Sequence, residues 1–232
     1  MTIVEDTQEE LWSAKDMLDV KLFDKDDDSF GTVEDLLFDD DHWTVRYLVV
    51  KSGPVFKRSQ VLVSPFLLNN PEFTSFNPAI HTQLTKEQLS SCPPLEEHKP
   101  ISRRYEEELA GHFTYPSYWA GPLLWGTVSF PVPHNAVPDN YEISGEIEKT
   151  HLRSINEIIG YQVSCSNDEE LGTVEDFFID TETWEIVNLV VYTGEWFDGG
   201  MFSISPQLIT GISWQDRLID FGNTDRAAIE SR

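Results

Sequence analysis

The sequence predicts a mainly β protein with short helices: two small antiparallel β-barrels related by internal duplication, joined by an aromatic connector. Three observations carry this. The string GTVED occurs at Gly31 to Asp35 and again at Gly172 to Asp176. Gly31 and Gly172, Trp43 and Trp184, and Gly53 and Gly194 are each 141 positions apart, and Ser64-Pro65 and Ser205-Pro206 keep the same spacing. Around these landmarks, short alternating or apolar segments are separated by turn residues. An unbroken register from Leu11/Leu152 through Pro65/Pro206 requires one structural unit used twice. Thr85 to Leu89 also resembles Thr224 to Ala228 once a two-residue length difference is allowed. The units are residues 11–91 and 152–232, with a connector over 92–151. Each unit is near the lower size at which a domain buries enough surface to fold alone, so mutual packing of the copies is expected.

Each unit opens on a capping signal. Ser13 with Asp16 and Ser154 with Glu157 have the spacing that satisfies free N–H groups at a helix start. Gly160 is placed to end the second helix, where copy one has Asp19. Val20 to Phe23 and Tyr161 to Ser164 are long enough only for short strands. GTVED follows an acidic loop and runs into Leu36-Leu37-Phe38 or Phe177-Phe178-Ile179. Asp39 to Trp43 and Asp180 to Trp184 read as hairpin turns. Val45 to Val50 and Ile186 to Val191 are β-branched strands buried on at least one face, closed by Gly53 and Gly194. Val61 and Val63, matched by Phe202 and Ile204, form a fourth strand stopped by proline. Leu208 to Trp214 and Leu218 to Phe221 make a last hairpin, and a short helix starts at Thr224. Five or six such strands suit a closed or nearly closed barrel, which removes exposed edges.

In the connector, Ser102 caps a short helix through Glu108, ended by Gly111. The following stretch, HFTYPSYWAGPLLWGTVSFPVP, is too apolar to float in water and should pack on a barrel or on a second subunit.

Composition narrows the function classes. The chain has 232 residues, 40% of them hydrophobic, which supports a real core. It has no apolar run long enough for a membrane span and no leader-like start, which predicts a cytoplasmic location. Its formal charge of −25 repels phosphate backbones and anionic headgroups, so nucleic acid and membrane surfaces are excluded as partners. The acidic excess reads as solubility or adaptation to a salty cytoplasm, with a basic protein partner as the sharper alternative. Cys92 and Cys165 occupy unrelated positions and read as reduced thiols. No phosphate loop, nucleophile elbow or metalloprotease helix is present, which argues against a nucleotide-dependent enzyme. No cofactor is implied.

Copy one, GTVEDLLFDDDHWTVRYLVVKSG followed by VLVSP, and copy two, GTVEDFFIDTETWEIVNLVVYTG followed by FSISP, resemble the PRC-barrel family, which takes its name from the cytoplasmic barrel of the photosynthetic reaction centre H subunit. The connector is similar to the spacer of two-barrel, stand-alone bacterial members. The resemblance implies a docking or regulatory module that binds another protein and has no catalytic residues of its own. An H-subunit-like role in proton or electron flow at a membrane complex is the alternative it raises.

Glu34, Asp35, Glu175 and Asp176 are the candidate partner-binding or proton-relay residues. Neighbours on a strand project to opposite faces, so neither pair makes a convergent acid/base couple by itself. The simpler reading is that they accept backbone N–H bonds at a bulge or turn after the glycine. Asp24, Asp26 and Asp28 have the spacing of a calcium loop that Asp35 would close. Ser29 stands where the loop wants glycine, and copy two offers Cys165, Asn167 and Glu169 instead. A solvated acidic turn is therefore the main reading, and a calcium-responsive protein the minor one. Trp43 and Trp184 are expected to fold over barrel ends and are, with the connector rings, the candidate interface aromatics. Tyr115, Tyr118, Trp119 and Trp125 are expected to form a lid over a barrel or a subunit interface, which leaves room for a homodimer.

Overall fold

The computed structural model describes residues 11–53, 59–69, 78–93, 95, 101–132, 151–165, 169–194 and 200–222. Copy one contains β1 (Leu11–Ser13), α1 (Ala14–Met17), β2 (Lys21–Phe23), β3 (Ser29–Asp39), β4 (Thr44–Ser52) and β5 (Ser59–Val63). A 3-10 turn at Pro65–Leu67, β6 (Ala79–His81) and α2 (Lys86–Ser90) complete it. The connector holds α3 (Arg103–Phe113). Copy two repeats the order with β7 (Leu152–Ser154), α4 (Ile155–Ile158), β8 (Gln162–Cys165), β9 (Glu169–Asp180), β10 (Ile186–Tyr192) and β11 (Met201–Ile204). It ends with a 3-10 turn at Pro206–Leu208, β12 (Gly211–Ser213) and β13 (Leu218–Asp220). The helix expected from Thr224 lies outside the described residues.

Capping works as the spacing predicts. Ser13 and Ser154 accept hydrogen bonds from the amides of Asp16 and Glu157, and both helices stop after one turn. The residues that turn the chain out, Asp19 and Gly160, share a left-handed backbone at φ 62° and 86°. Trp43 and Trp184 close the hairpins at φ 51° and 62°. The connector helix is longer than expected. It runs through Gly111 because Leu109, Ala110 and Phe113 all bury on its inner face, and it ends where Thr114 turns left-handed at φ 59°.

Each copy forms one sheet in the order β5-β4-β3-β2-β6 or β11-β10-β9-β8-β13-β12. Pairing is antiparallel except for β2 with β6 and β8 with β13, which are parallel because a long crossover returns the chain to the same end. In copy one the 3-10 turn carries the chain from β5 toward β6. There Thr82 Oγ1 donates to the Leu67 carbonyl at 2.6 Å and the Asn69 amide donates to the His81 carbonyl at 2.8 Å. These bonds tie the turn after β5 to the end of β6, although β5 and β6 do not pair as strands, and the apolar side chains of the sheet form a single core with those of the other copy.

The glycine that opens GTVED is required by close approach. A Cβ on Gly31 would lie 2.4 Å from the Lys51 carbonyl oxygen, and one on Gly172 would lie 2.1 Å from that of Tyr192.

The copies are not separate barrels. The opening strand of each pairs with the long strand of the other: β1 with β9 (Leu11 opposite Asp180, Ser13 opposite Phe178) and β7 with β3 (Leu152 opposite Asp39, Ser154 opposite Leu37). The hairpin turns join as well, the Val45 amide donating to the Trp184 carbonyl at 2.8 Å and the Ile186 amide to the Trp43 carbonyl at 2.6 Å. Phe38 and Phe177 meet at the centre with their rings 6.4 Å apart.

Gly31→Ala should destabilise the chain by about 2 kcal/mol in urea unfolding, because the obstructing atom is backbone and cannot turn aside. Gly111→Ala, where an added Cβ meets nothing, should be neutral or slightly stabilising.

Candidate functional site

The duplicated motif sits at the joint. A bulge between Val33 and Asp35, repeated between Val174 and Asp176, inserts Glu34 and Glu175 as extra residues and breaks the strict alternation of faces. The two carboxylates of each pair then go to different partners. Glu34 pairs with Lys51 and accepts a hydrogen bond from Gln60 Nε2 at 2.8 Å. Glu175 pairs with Lys15 of the other copy.

Asp35 and Asp176 clasp the exchanged segments. Asp35 accepts from Ser154 Oγ at 2.5 Å, from the Asn156 amide at 3.2 Å and from the Leu36 amide at 2.8 Å. Asp176 accepts from Ser13 Oγ at 2.6 Å, from the Lys15 amide at 3.1 Å and from the Phe177 amide at 2.8 Å. Each aspartate therefore supports the serine that caps the other copy's helix. Burial raises the Asp35 carboxyl above its ordinary value, opposed by the donors from Ser154, Asn156 and Leu36.

The expected calcium loop spends its carboxylates otherwise. Asp24 Oδ1 accepts from the amides of Asp26 and Asp28, both at 2.9 Å, and Asp26 pairs with Lys25. Asp35 is directed to Ser154, so the four acids are not brought together. Asn167 lies outside the described residues. Among the described residues, the group whose ligand atoms do converge is Asp40, Asp41 and His151, with Arg153 Nε already donating to Asp40 at 2.8 Å. Cys92 and Cys165 are free thiols, and burial pushes the Cys92 thiol up to about 12.

The aromatic connector covers copy one. Trp125 is fully buried, edge-on to Phe66 at 5.1 Å, and its Nε1 donates to the Thr183 carbonyl at 2.7 Å. Tyr115 stacks on Phe66 at 5.6 Å. Arg46, from β4, lies between Tyr118 and Trp125 with its guanidinium 4.1 and 4.8 Å from the ring centres. It donates to Asp39 Oδ2 at 3.1 Å and to the Leu124 carbonyl at 2.7 Å. Trp119 stacks on Arg103 at 4.0 Å. Of the paired hairpin rings, Trp184 is buried and Trp43 half-buried.

Beneath this cover lies a group that sequence reading missed. Glu106 of α3 is fully buried and accepts from Tyr118 at 2.9 Å and from Tyr47 at 3.2 Å, while Arg103 stands 3.4 Å from its other oxygen. Its position was legible: Glu106, Leu109, Ala110 and Phe113 follow the i, i+3, i+4, i+7 spacing of one helix face. Burial pushes the Glu106 carboxyl up to about 7, against the pull of Arg103 and the two tyrosines. Asp39 goes the other way; its burial is outweighed by Arg46, and its carboxyl falls below the usual range.

The PRC-barrel domain model matches residues 9–72 and 151–226, more than half of the sequence. The chain belongs to the PRC-barrel domain family. Its matched segments begin with the exchanged strands, so the repeating unit of sequence includes a strand that completes the other copy's sheet. A search of curated proteins finds no match. Among the described residues, no helix is long and apolar enough to cross a membrane.

A carboxyl raised on folding favours the protonated form, so Glu106 contributes stability that is full below about pH 4.5 and is lost as pH rises through about 7. The loss is on the order of 3 kcal/mol. In urea melts from pH 5 to 8, Glu106→Gln should gain stability relative to the parent as pH rises; a difference independent of pH would contradict this.

Proposed function

We propose that this PRC-barrel protein is a non-catalytic, cytoplasmic docking or regulatory module that binds another protein. The observation that supports it most is the use of Asp35 and Asp176. These motif aspartates are committed to holding two sheets together, each through two hydrogen bonds from the other copy, with a third from the next amide of its own strand. A carboxylate saturated with donors and set in a rigid joint is suited to scaffold work and poorly placed to exchange protons with a substrate. Family membership supports the same reading, since a small barrel presents surface and loops on a stiff frame.

The test is affinity capture with the intact tagged chain from an extract of the source organism, followed by mass spectrometry. The expected result is a reproducible protein partner, absent from a tag-only control. Co-purification of a membrane complex would instead favour the reaction-centre-like role. Turnover of a substrate by the purified chain would contradict the proposal. Glu34→Gln with Glu175→Gln should leave the melting temperature within about 2 °C, because both carboxylates sit in partly exposed ion pairs of small net value. Partner binding lost in that folded variant would move these residues from frame to contact surface.

A further inference from the structure

The likeness between the copies is broken where the connector packs. In copy one, the surface formed by the other copy's hairpin turn, the strand β4 and the proline turn is filled by the connector. Trp125 is the plug, seated on Phe66 and tied to the Thr183 carbonyl, with Arg46 held against it. Arg46, Phe66, Leu68 and Trp184 are each at most 4% exposed as a result.

Adding 141 to these positions gives Val187, Gln207 and Ile209, and subtracting 141 from Trp184 gives Trp43. There the structure has a cleft of about 640 Å³. Its apolar floor comes from Trp43, Val187, Ile209 and Ile212, all half-buried, with Pro206 beneath. No described segment covers it. Among the described residues, the cleft is the equivalent, without a plug, of a surface that in copy one accepts a tryptophan-bearing extended segment.

Charge indicates what it would take. In copy one the cation of the aromatic clamp belongs to the barrel, Arg46 paired with Asp39. In copy two the matching residues are Val187 and Asp180, so the acid is kept and the cation is not. Glu185 lies in the cleft wall, and Asp41 is exposed at its rim. Among the described residues, neither Glu185 nor Asp180 has an ion-pair partner. Burial and the nearby Asp180 hold the Glu185 carboxyl above its ordinary value, as expected of an acid facing a second acid with no cation between them.

We propose that this cleft docks an extended segment of a partner protein in which a large aromatic residue is flanked by arginine or lysine. The ring takes the place Trp125 holds in copy one, and the basic group supplies the charge that Arg46 supplies there. The inference rests on the docking function and gives it a site and a ligand chemistry.

The test selects phage-displayed random 12-residue peptides on the intact chain. Enriched peptides should pair an aromatic residue with arginine or lysine, and should bind at least tenfold more weakly to the double variant Asp41→Lys, Glu185→Lys. Val187→Arg, which restores the copy-one cation, should also weaken them and remove the preference for a basic residue. It serves if the double variant fails to fold. Enrichment without the basic residue, no enrichment, or affinity unchanged in both variants would overturn the proposal. So would sedimentation showing a dimer that the double variant dissociates, since the cleft would then belong to a second copy. A partner captured from extract and retained equally by both variants would leave the docking function standing and remove this cleft from it.

Discussion

The reciprocal exchange of β1 and β7 is the constraint on which the rest of the molecule depends. Each long strand, β3 or β9, is paired along one edge by its own hairpin partner. Its other edge is divided between its own copy's short strand and the other copy's opening strand. Removing either copy would expose part of that edge and leave an aspartate with one of its three donors. An unpaired strand edge and a half-buried carboxylate that loses donors are both costly. The two small sheets therefore share one core and one set of terminal caps, which answers the problem that each repeat alone is close to the minimum size for folding.

The same symmetry makes the asymmetry informative. β4 is buried on nearly every residue because the connector packs on its outer side, whereas β10 is half-buried at Val187, Asn188 and Tyr192. Two of the differences between the copies bear on this cover: Arg46 against Val187 and Phe66 against Gln207. Arginine at position 46 binds the connector by cation–π contact and by a bond to the Leu124 carbonyl, and so anchors the covering segment to copy one. The buried Glu106 beneath it costs stability at neutral pH unless protonated.

Much of the architecture was legible because the repeat reports itself. The equal spacing of Gly31 and Gly172, Trp43 and Trp184, and Pro65 and Pro206 carried strand order and turn positions from one copy to the other. The exchange was not legible, for a physical reason. LWS and LRS, the opening strands, fit either long strand equally well in sequence terms, so pairing within a copy and pairing between copies look the same. A bulge or turn after the glycine was legible at Glu34 and Glu175, but the other copy's serine and lysine as partners of the motif acids were not. The aromatic residues of the connector read correctly as packed rings, but nothing in their spacing named the barrel they cover. Glu106 was disguised by its acidic neighbours Glu107 and Glu108, although its helical face set it apart.

Native-state hydrogen exchange across a urea series tests the shared fold most directly. The amides of β3 and β9 should converge on one opening free energy and one denaturant dependence, because neither sheet can open without releasing a strand of the other. Two separate isotherms, with one sheet opening while the other stays protected, would contradict the account.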